Sequence, residues 1–525
     1  MAAILYKNNM SGVYQPVGSG SSLLDKHNLL QQVNQVIPQL IPFERLVRER
    51  INIRANRLAG AVRQSSAEQR RQALQEIVGN QLRIEILYDT DKVRRALRTK
   101  VVEVLGLDSE VTGEKSVYST PELTLRLEER HIGPLGSGLF AENEKRKVTS
   151  ADIAKRVEEV NDSLLKSVLP TGTLVELRGK DYWQPSTIDP KLALRKGLAY
   201  TGRISQFIEL EAHQDSSRTG EQESDLEHRA ESAVLDLLRQ FGYLPEKIDF
   251  TLGRGKLGVD FMPKPLHIFA FWLVNKHRGD QSQRNVFPVA LYLNSQSNKI
   301  MLRFPGSNEW LTYREALLDL GRIDHGSFTK ISKANIQGFI QKIWQEDIIP
   351  SGNSLVLVDG PNFRENWKWL QDKKIDPSRL WIEDAAVGWK DSDLNGIRLV
   401  RIRMGTEVPS GYGLGDDGEI SFTSGVFQAG TRVFWGVSPK PRTMRKISKE
   451  RANTRRSERP RWDHRQPGLV EIVPAILQPG DDPAVWATLV HKMRRMMPSY
   501  EDYTLLPMPL HLLELVEEYV KAYQG

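Results

Sequence analysis

Short apolar runs that break off at an acid or a glycine recur along this chain, and longer amphipathic stretches separate them. LRIEILYD (82–89), TLVELRG and SLVLVDG are the clearest runs. Between the first two lie KVRRALRTKVVEVLG and ADIAKRVEEVNDSLLKSVL, whose apolar residues recur three and four apart, as on one face of a helix. Strands separated by helices of this length pair through crossovers, so the alternation commits the chain to an α/β layer with a parallel sheet. Residues 23–80 carry only the helical spacing. The acid-rich stretch 212–232 reads as a surface loop ahead of the helix AVLDLLRQFG. A second strand-bearing unit starts near HIFAFWLV and FPVALYLN. GIRLVRIR reads as a half-exposed strand with its arginines, Arg398, Arg401 and Arg403, on one face.

With 525 residues the chain is long enough for several domains. It has no cysteine, which excludes disulfide frameworks, thiol catalysis, zinc–thiolate sites and iron–sulfur clusters. MAAILYKNNM lacks the basic-then-apolar order of a secretion signal. HIFAFWLV is far shorter than the ~20 residues of a membrane span. A cytoplasmic protein with no membrane partner is the expectation. The net charge is +7, and residues 440–465 hold eleven Lys/Arg against three acids, so the rest of the chain sums to −1. That Arg-rich segment suits a polyanion such as a nucleic-acid backbone.

GRGKLG (253–258) has dinucleotide-loop spacing, but the prolines of VDFMPKP follow where a helix would have to open, so it reads as a turn. GYGLGDDG is a loop by the same argument. The ten histidines show no metal-ligand spacing, and no nucleophile-elbow sequence occurs. Two features remain. Asp359 ends an apolar strand, where open α/β sheets bind ligands. In DPKLALRKGLAYTGRISQF, Lys191 and Arg195 stand one helical turn apart, where like charges repel. A solvated helix face is the plain explanation, and an anion pocket is the sharper one.

From about residue 82 the chain resembles the MID–PIWI half of Argonaute proteins, and most closely the pPIWI-RE family. DPKLALRKGLAYTGRISQF, DLLRQFG, LVLVDGPNFRENWKWL, GIRLVRIR, RQPGLVEIV and LLPMPLHLLELVEEY carry the resemblance, in the family's order. It implies an α/β protein with a helical N-terminal segment (1–80), a Rossmann-like MID domain (81–260) and an RNase H-like PIWI domain (261–525). Less chain precedes the MID part than family members usually carry, which implies a short member.

The resemblance further implies that Lys191 and Arg195 grip the 5′-phosphate of a guide strand, with Gln206 as a neutral donor. Arg239 stands for a later lysine, and Arg203 lies within the same motif. In the PIWI part, Asp359 matches the second metal-binding aspartate and His511 the closing histidine, while the first aspartate falls on Asn294. Asp324 is only a weak stand-in for the glutamate. Arg465 and Glu471 are the candidates for the family's named Arg–Glu pair. Asp359 and His511 alone are too few anionic groups for two Mg²⁺ or Mn²⁺ ions. The implied function is guide-dependent binding of RNA or DNA targets with weak or no slicing, in defence against mobile elements alongside helicase and nuclease partners. A metal-dependent endonuclease and a guide-free basic architectural protein are the alternatives.

Overall fold

A computed structural model describes residues 66–108, 113–140, 150–179, 187–210, 219–244, 262–275, 286–323, 331–383, 388–404, 424–438, 469–497 and 503–520. Short pieces at 32–38, 47–49, 413–414 and 420–421 and a few single residues are also described. Residues 439–468, which hold the basic segment and Arg465, lie outside them, as do GRGKLG and Asp324. The chain forms two compact units, Met1–Glu49 with Met404–Glu471 and Arg50–Arg403 with Ile472–Gly525. In the first unit, Val47–Arg48 pairs antiparallel with Gly425–Gln428, which pairs in turn with Phe434–Val437. Val47–Arg48 thus departs from the helical spacing of the first 80 residues, of which Ala67–Val78 (α1) is helix.

The second unit contains two sheets. Strands Gln81–Tyr88 (β1), Lys115–Ser119 (β2), Thr124–His131 (β3), Thr171–Arg178 (β4) and Arg203–Leu210 (β5) form the first, in the order β2-β3-β1-β4-β5. All its pairings are parallel except β2 with β3. β4 is buried through Leu177, as expected of a central parallel strand, whereas the edge strand β2 alternates in and out of solvent. Helices Asp91–Leu105 (α2), Ser150–Ser163 (α3) and Lys191–Tyr200 (α4) connect its strands, and Thr219–Gln240 (α5) follows the last of them. Thr90 caps α2, its side chain accepting from Val93 N–H. Gly106 ends α2 at φ 57°, where a Cβ would come within 2.3 Å of Ala67 Cβ, so only glycine lets α1 pack there.

α5 begins at Thr219, inside the stretch read from sequence as a loop. Its charges are spaced for a helix, and Asp225 and Arg229 pair at 2.9 Å across one turn.

The second sheet comprises His267–Asn275 (β6), Val286–Asn294 (β7), Ile300–Arg303 (β8), Leu311–Thr312 (β9), Ser354–Asp359 (β10), Ile397–Arg403 (β11) and the strand Val470–Ile476 (β12). Its order in this unit is β12-β11-β10-β6-β7-β8-β9. β6, β7, β8 and β9 form an antiparallel meander, and β10 runs parallel to β6 and β11. β11 is buried almost throughout. Arg398 and Arg401, an odd number of residues apart, lie on opposite faces rather than one. Each is held by an acid, Arg398 by Asp481 and Arg401 by Asp372. Helices Tyr313–Arg322 (α6), Lys333–Ile343 (α7), Pro483–Met493 (α8) and Met508–Val520 (α9) complete the unit. α9 contacts both sheets. Trp272 of β6 donates to Glu517 at 3.1 Å, and Ser205 N–H of β5 donates to Tyr519 Oη at 2.9 Å.

Among the described residues no helix is long and apolar enough to cross a membrane.

Candidate nucleic-acid interface

α4 starts at the carboxyl edge of the first sheet, where Asp189 Oδ1 accepts from Lys191 N–H at 2.9 Å. One turn apart, Lys191 and Arg195 both lie over the Phe207 ring, 5.5 and 5.2 Å from its centroid. The negative face of the ring and two acids offset the repulsion between them. Lys191 Nζ meets Glu209 at 2.7 Å, and Arg195 Nη2 meets Glu518 of α9 at 2.9 Å. Arg195 also stacks on Tyr519 at 4.9 Å and is 5% exposed. Its Nη1 has no hydrogen-bond partner among the described residues. A buried, unfilled guanidinium donor is a costly feature to keep, and it is suited to an incoming acceptor.

Gln206 does not join this pair on the same face. It precedes Phe207 on β5 and therefore points to the other side of the sheet. There its Oε1 accepts from Gln240 of α5 at 2.8 Å. Gln206 lines an open cleft of about 340 Å³ between β5 and α5, together with Glu209, His228, Arg229, Ser232 and Asp236. Tyr519 links the two faces across the open edge of β5, with its ring under Arg195 and its hydroxyl donating to Gln240 Oε1 at 2.6 Å.

Arg239 and Arg203 are both occupied internally. Arg239 is 4% exposed and bonds Asp236 at 3.3 Å. Burial pushes its pKa down, but Asp236, with Tyr313, Tyr500 and Glu518 nearby, outweighs burial and holds the guanidinium charged. Arg203 forms a bidentate pair with Glu85 at 2.7 and 2.9 Å and donates to Leu165 and Thr201 carbonyls. Its donors serve the core, because Arg203 opens β5 at the amino edge of a parallel sheet, away from the ligand edge.

At the second sheet, Asp359 ends β10 and caps the turn Gly360–Phe363, accepting from Asn362 N–H at 3.3 Å. The Asn362 side chain clasps the backbone of β6, accepting from Leu273 N–H at 2.7 Å and donating to Leu273 O at 3.0 Å. Val358 pairs with Phe271, so Trp272 and Leu273 are the β6 residues level with Asp359. Asn294 lies elsewhere. It pairs with His267 at the start of β6, because β7 runs antiparallel and ends at the opposite edge, about 16 Å along the strand from Asp359. It closes a turn by accepting from Gln296 N–H.

His511 lies in the first turn of α9, with Nδ1 against Glu514 at 2.9 Å and its ring beside Tyr500. Among the described residues no three His, Asp or Glu side chains converge to hold a metal. The set Asp359, His511 and Asn294 therefore does not fit a two-ion centre. Glu471 is buried on β12, and its partner in the expected pair, Arg465, is not among the described residues.

The family model for the MID domain of pPIWI_RE matches residues 117–249, and that for the RNaseH domain of pPIWI_RE matches residues 268–522. The chain belongs to the pPIWI-RE family. Strands β3, β4 and β5 of its first sheet fall within the MID match, β1 precedes that match, and the second sheet falls in the RNase H-like PIWI part. No curated protein matches this pPIWI-RE chain. Solved structures that match include Aa-Ago with externally bound siRNA (10% identity, TM-score 0.44) and Kluyveromyces polysporus Argonaute with a guide RNA (10%, 0.42). In each case the alignment covers 95% of this chain and 58% of the other. The C-terminal lobe of a budding yeast Argonaute matches at 10% identity and TM-score 0.39, over 84% of this chain and 78% of that one.

In this pPIWI-RE chain the cluster around Arg195 draws on both matched parts, with Lys191, Gln206 and Gln240 from MID and Glu518 and Tyr519 from PIWI. Sequence reasoning missed Gln240, Glu209, Glu518 and Tyr519. Gln240 adjoins Arg239 in LLRQFG, and Tyr519 closes the motif LLELVEEY, so both stood inside stretches already marked. Nothing in the sequence linked them to β5.

Proposed function

We propose that this protein is a guide-dependent nucleic-acid-binding protein that anchors a strand's 5′-phosphate beside α4 and β5 and pairs that strand with an RNA or DNA target. Its MID part spans 81–260 and its PIWI part 261–525, with 1–80 ahead of them; the matched spans support these bounds. The observation that carries the reading is Arg195, buried between two aromatic rings one turn from Lys191, with a guanidinium nitrogen unspent. Charge-assisted donors of this kind suit a phosphate. The MID–PIWI architecture and the guide RNA in the matched Argonaute structure support the guide. Base pairing would then carry sequence specificity and the protein would hold the backbone.

In this reading the protein does not slice. It acts in the cytoplasm through helicase and nuclease partners against mobile DNA, an output that rests on family membership alone. Mg²⁺ or Mn²⁺ at Asp359 and His511 belongs to the slicer alternative, which the placement of Asn294 at the opposite edge of the sheet from Asp359 disfavours. A guide-free architectural binder would work mainly through 440–465.

One titration separates these readings. Lys191→Ala/Arg195→Ala should weaken binding of a 5′-phosphorylated oligonucleotide by roughly 10- to 100-fold and leave its 5′-hydroxyl counterpart nearly unchanged. Equal affinity for both ends in the parent protein would remove the reading in favour of the architectural one. Mn²⁺-dependent target cleavage abolished by Asp359→Ala would restore the slicer.

A second reading has one observation in its favour. Lys191 and Arg195 already have carboxylate partners, Glu209 and Glu518, as a site for an uncharged 5′-hydroxyl would require. Tighter binding of the hydroxyl form would decide for it.

A further inference from the structure

The hydrogen bonds that join β5, α5 and α9 form a chain with a definite direction. It begins at Ser205 N–H, a backbone group that can only donate, and Tyr519 Oη accepts it at 2.9 Å. The phenol proton then goes to Gln240 Oε1, 2.6 Å away, a separation typical of O–H···O and shorter than N–H···O bonds usually are. With its oxygen so engaged, Gln240 turns its Nε2 toward Gln206 and donates to Gln206 Oε1 at 2.8 Å. Gln206 is left with its own Nε2, the end of the amide away from Gln240, at the wall of the cleft. Reversing the two amides would leave a buried phenol proton without the carbonyl it now bonds. Ser205, Gln240 and Tyr519 are 0, 2 and 6% exposed, where an unmade bond costs most.

We propose that Tyr519 and Gln240 are positioning residues that lock Gln206 as a donor facing the cleft, so that the cleft accepts a hydrogen-bond acceptor such as a phosphate oxygen and rejects a donor. This deepens the guide-anchoring reading and rests on it: the cleft is also lined by Phe207 and by Glu209, the partner of Lys191, so it reaches round the free edge of β5 to the face that carries the cations. It gives α9 a specific part in strand recognition. A residue of α9 sets the polarity of a group on the sheet's far face without touching the ligand itself.

The test compares affinities of the full chain for 5′-phosphorylated and 5′-hydroxyl forms of one DNA and one RNA oligonucleotide. Tyr519→Phe keeps the ring under Arg195 and removes the hydroxyl, which is both the donor to Gln240 and the acceptor for Ser205 N–H. It should cut the phosphate preference about fivefold. Gln240→Glu can still accept from Tyr519 but has no N–H for Gln206, so Gln206 must invert, and the preference should fall about tenfold or more. Gln206→Ala should lose a similar factor. Tyr519→Phe added to Gln206→Ala should cost nothing further, because the relay then has nothing left to orient.

A merely structural role for Tyr519 would instead lower both affinities together and would add to Gln206→Ala. Full phosphate preference in Tyr519→Phe and Gln240→Glu, with the parent preference intact, overturns the relay and spares the anchoring reading. A parent protein indifferent to the 5′ end, and unaffected by Lys191→Ala/Arg195→Ala, overturns both. If Gln240→Glu fails to fold, Tyr519→Phe and its double variant still decide the matter.

Discussion

The two sheets of the larger unit hold polar groups near their ligand edges in opposite ways. Around β5, cations are abundant and each lies against an acid, Lys191 with Glu209, Arg195 with Glu518 and Arg239 with Asp236. One buried guanidinium nitrogen is left over. At the end of β10 a carboxylate sits beside Trp272 and Leu273, and its work is to cap a turn that Asn362 ties to the next strand. In the reading proposed above, the first arrangement is a compensated site that a stronger anion enters by displacing a weaker one. The second is a turn cap. A charged residue at the right edge of an α/β sheet is therefore a poor guide to function until its existing partners are known.

The largest effect should come from a charge that the comparison assigns to structure. Glu85→Ala strands Arg203 in the core and should lower the unfolding free energy by about 3–5 kcal/mol, measured by urea denaturation, with the 5′-phosphate preference of the folded fraction unchanged. Loss of that preference at unaltered stability would return Arg203 to the binding set.

Asn362→Ala probes the capped turn. It removes two hydrogen bonds to Leu273 and should cost about 2 kcal/mol by the same measurement, again without changing strand binding. A change in strand binding would reopen the Asp359 edge as a site.

His491 extends the comparison to a buried group that must stay neutral. On α8 it is 2% exposed, and its Nδ1 faces Arg494 Nη1 at 3.2 Å. Burial first, then Arg494 and Lys492, hold its pKa well below 6.5. Unfolding restores the ordinary value, so the unfolded chain binds the extra proton, and this contribution is present above about pH 6.5 and lost as pH falls. Stability should drop by up to about 1.4 kcal/mol per pH unit between pH 6.5 and 5. His491→Gln should flatten that slope in denaturation curves taken across the range.

The smallest effect tests whether compensation is competition. Glu209 and Lys191 are both over a third exposed, so their attraction is weak. Glu209→Gln should tighten 5′-phosphate binding only about two- to fivefold at low salt, and the gain should fade as salt rises. A loss of affinity would mean that Glu209 orients Lys191 rather than competing for it.

How much of this could be read from the sequence depended on distance along the chain. The alternation of strands and helices, the turn between Lys191 and Arg195, and Asp359 at a strand end are local, and the structure keeps all three. Asn294 failed because a strand's direction is set by its neighbours: an apolar run ending in a polar residue looks the same whether it runs parallel to β6 or against it. Gln206 and Phe207 lie side by side on one strand, whose period alone sends them to opposite faces; which face carries the cations only the packing of α4 and α5 on β5 establishes. The stretch 212–232 looked like a loop because polarity outweighed its spacing. Arg203 looked like a phosphate ligand because its carboxylate partner lies 118 residues earlier.

Tyr519 carries a further consequence for how the molecule is made. The backbone of β5 waits for a hydroxyl 314 residues downstream, so on the ribosome the first sheet must stand with that flank uncovered until α9 is made. Such a flank invites pairing with other nascent chains. Stalling synthesis before α9 emerges should yield a product that sticks to itself, while synthesis carried past α9 seals it.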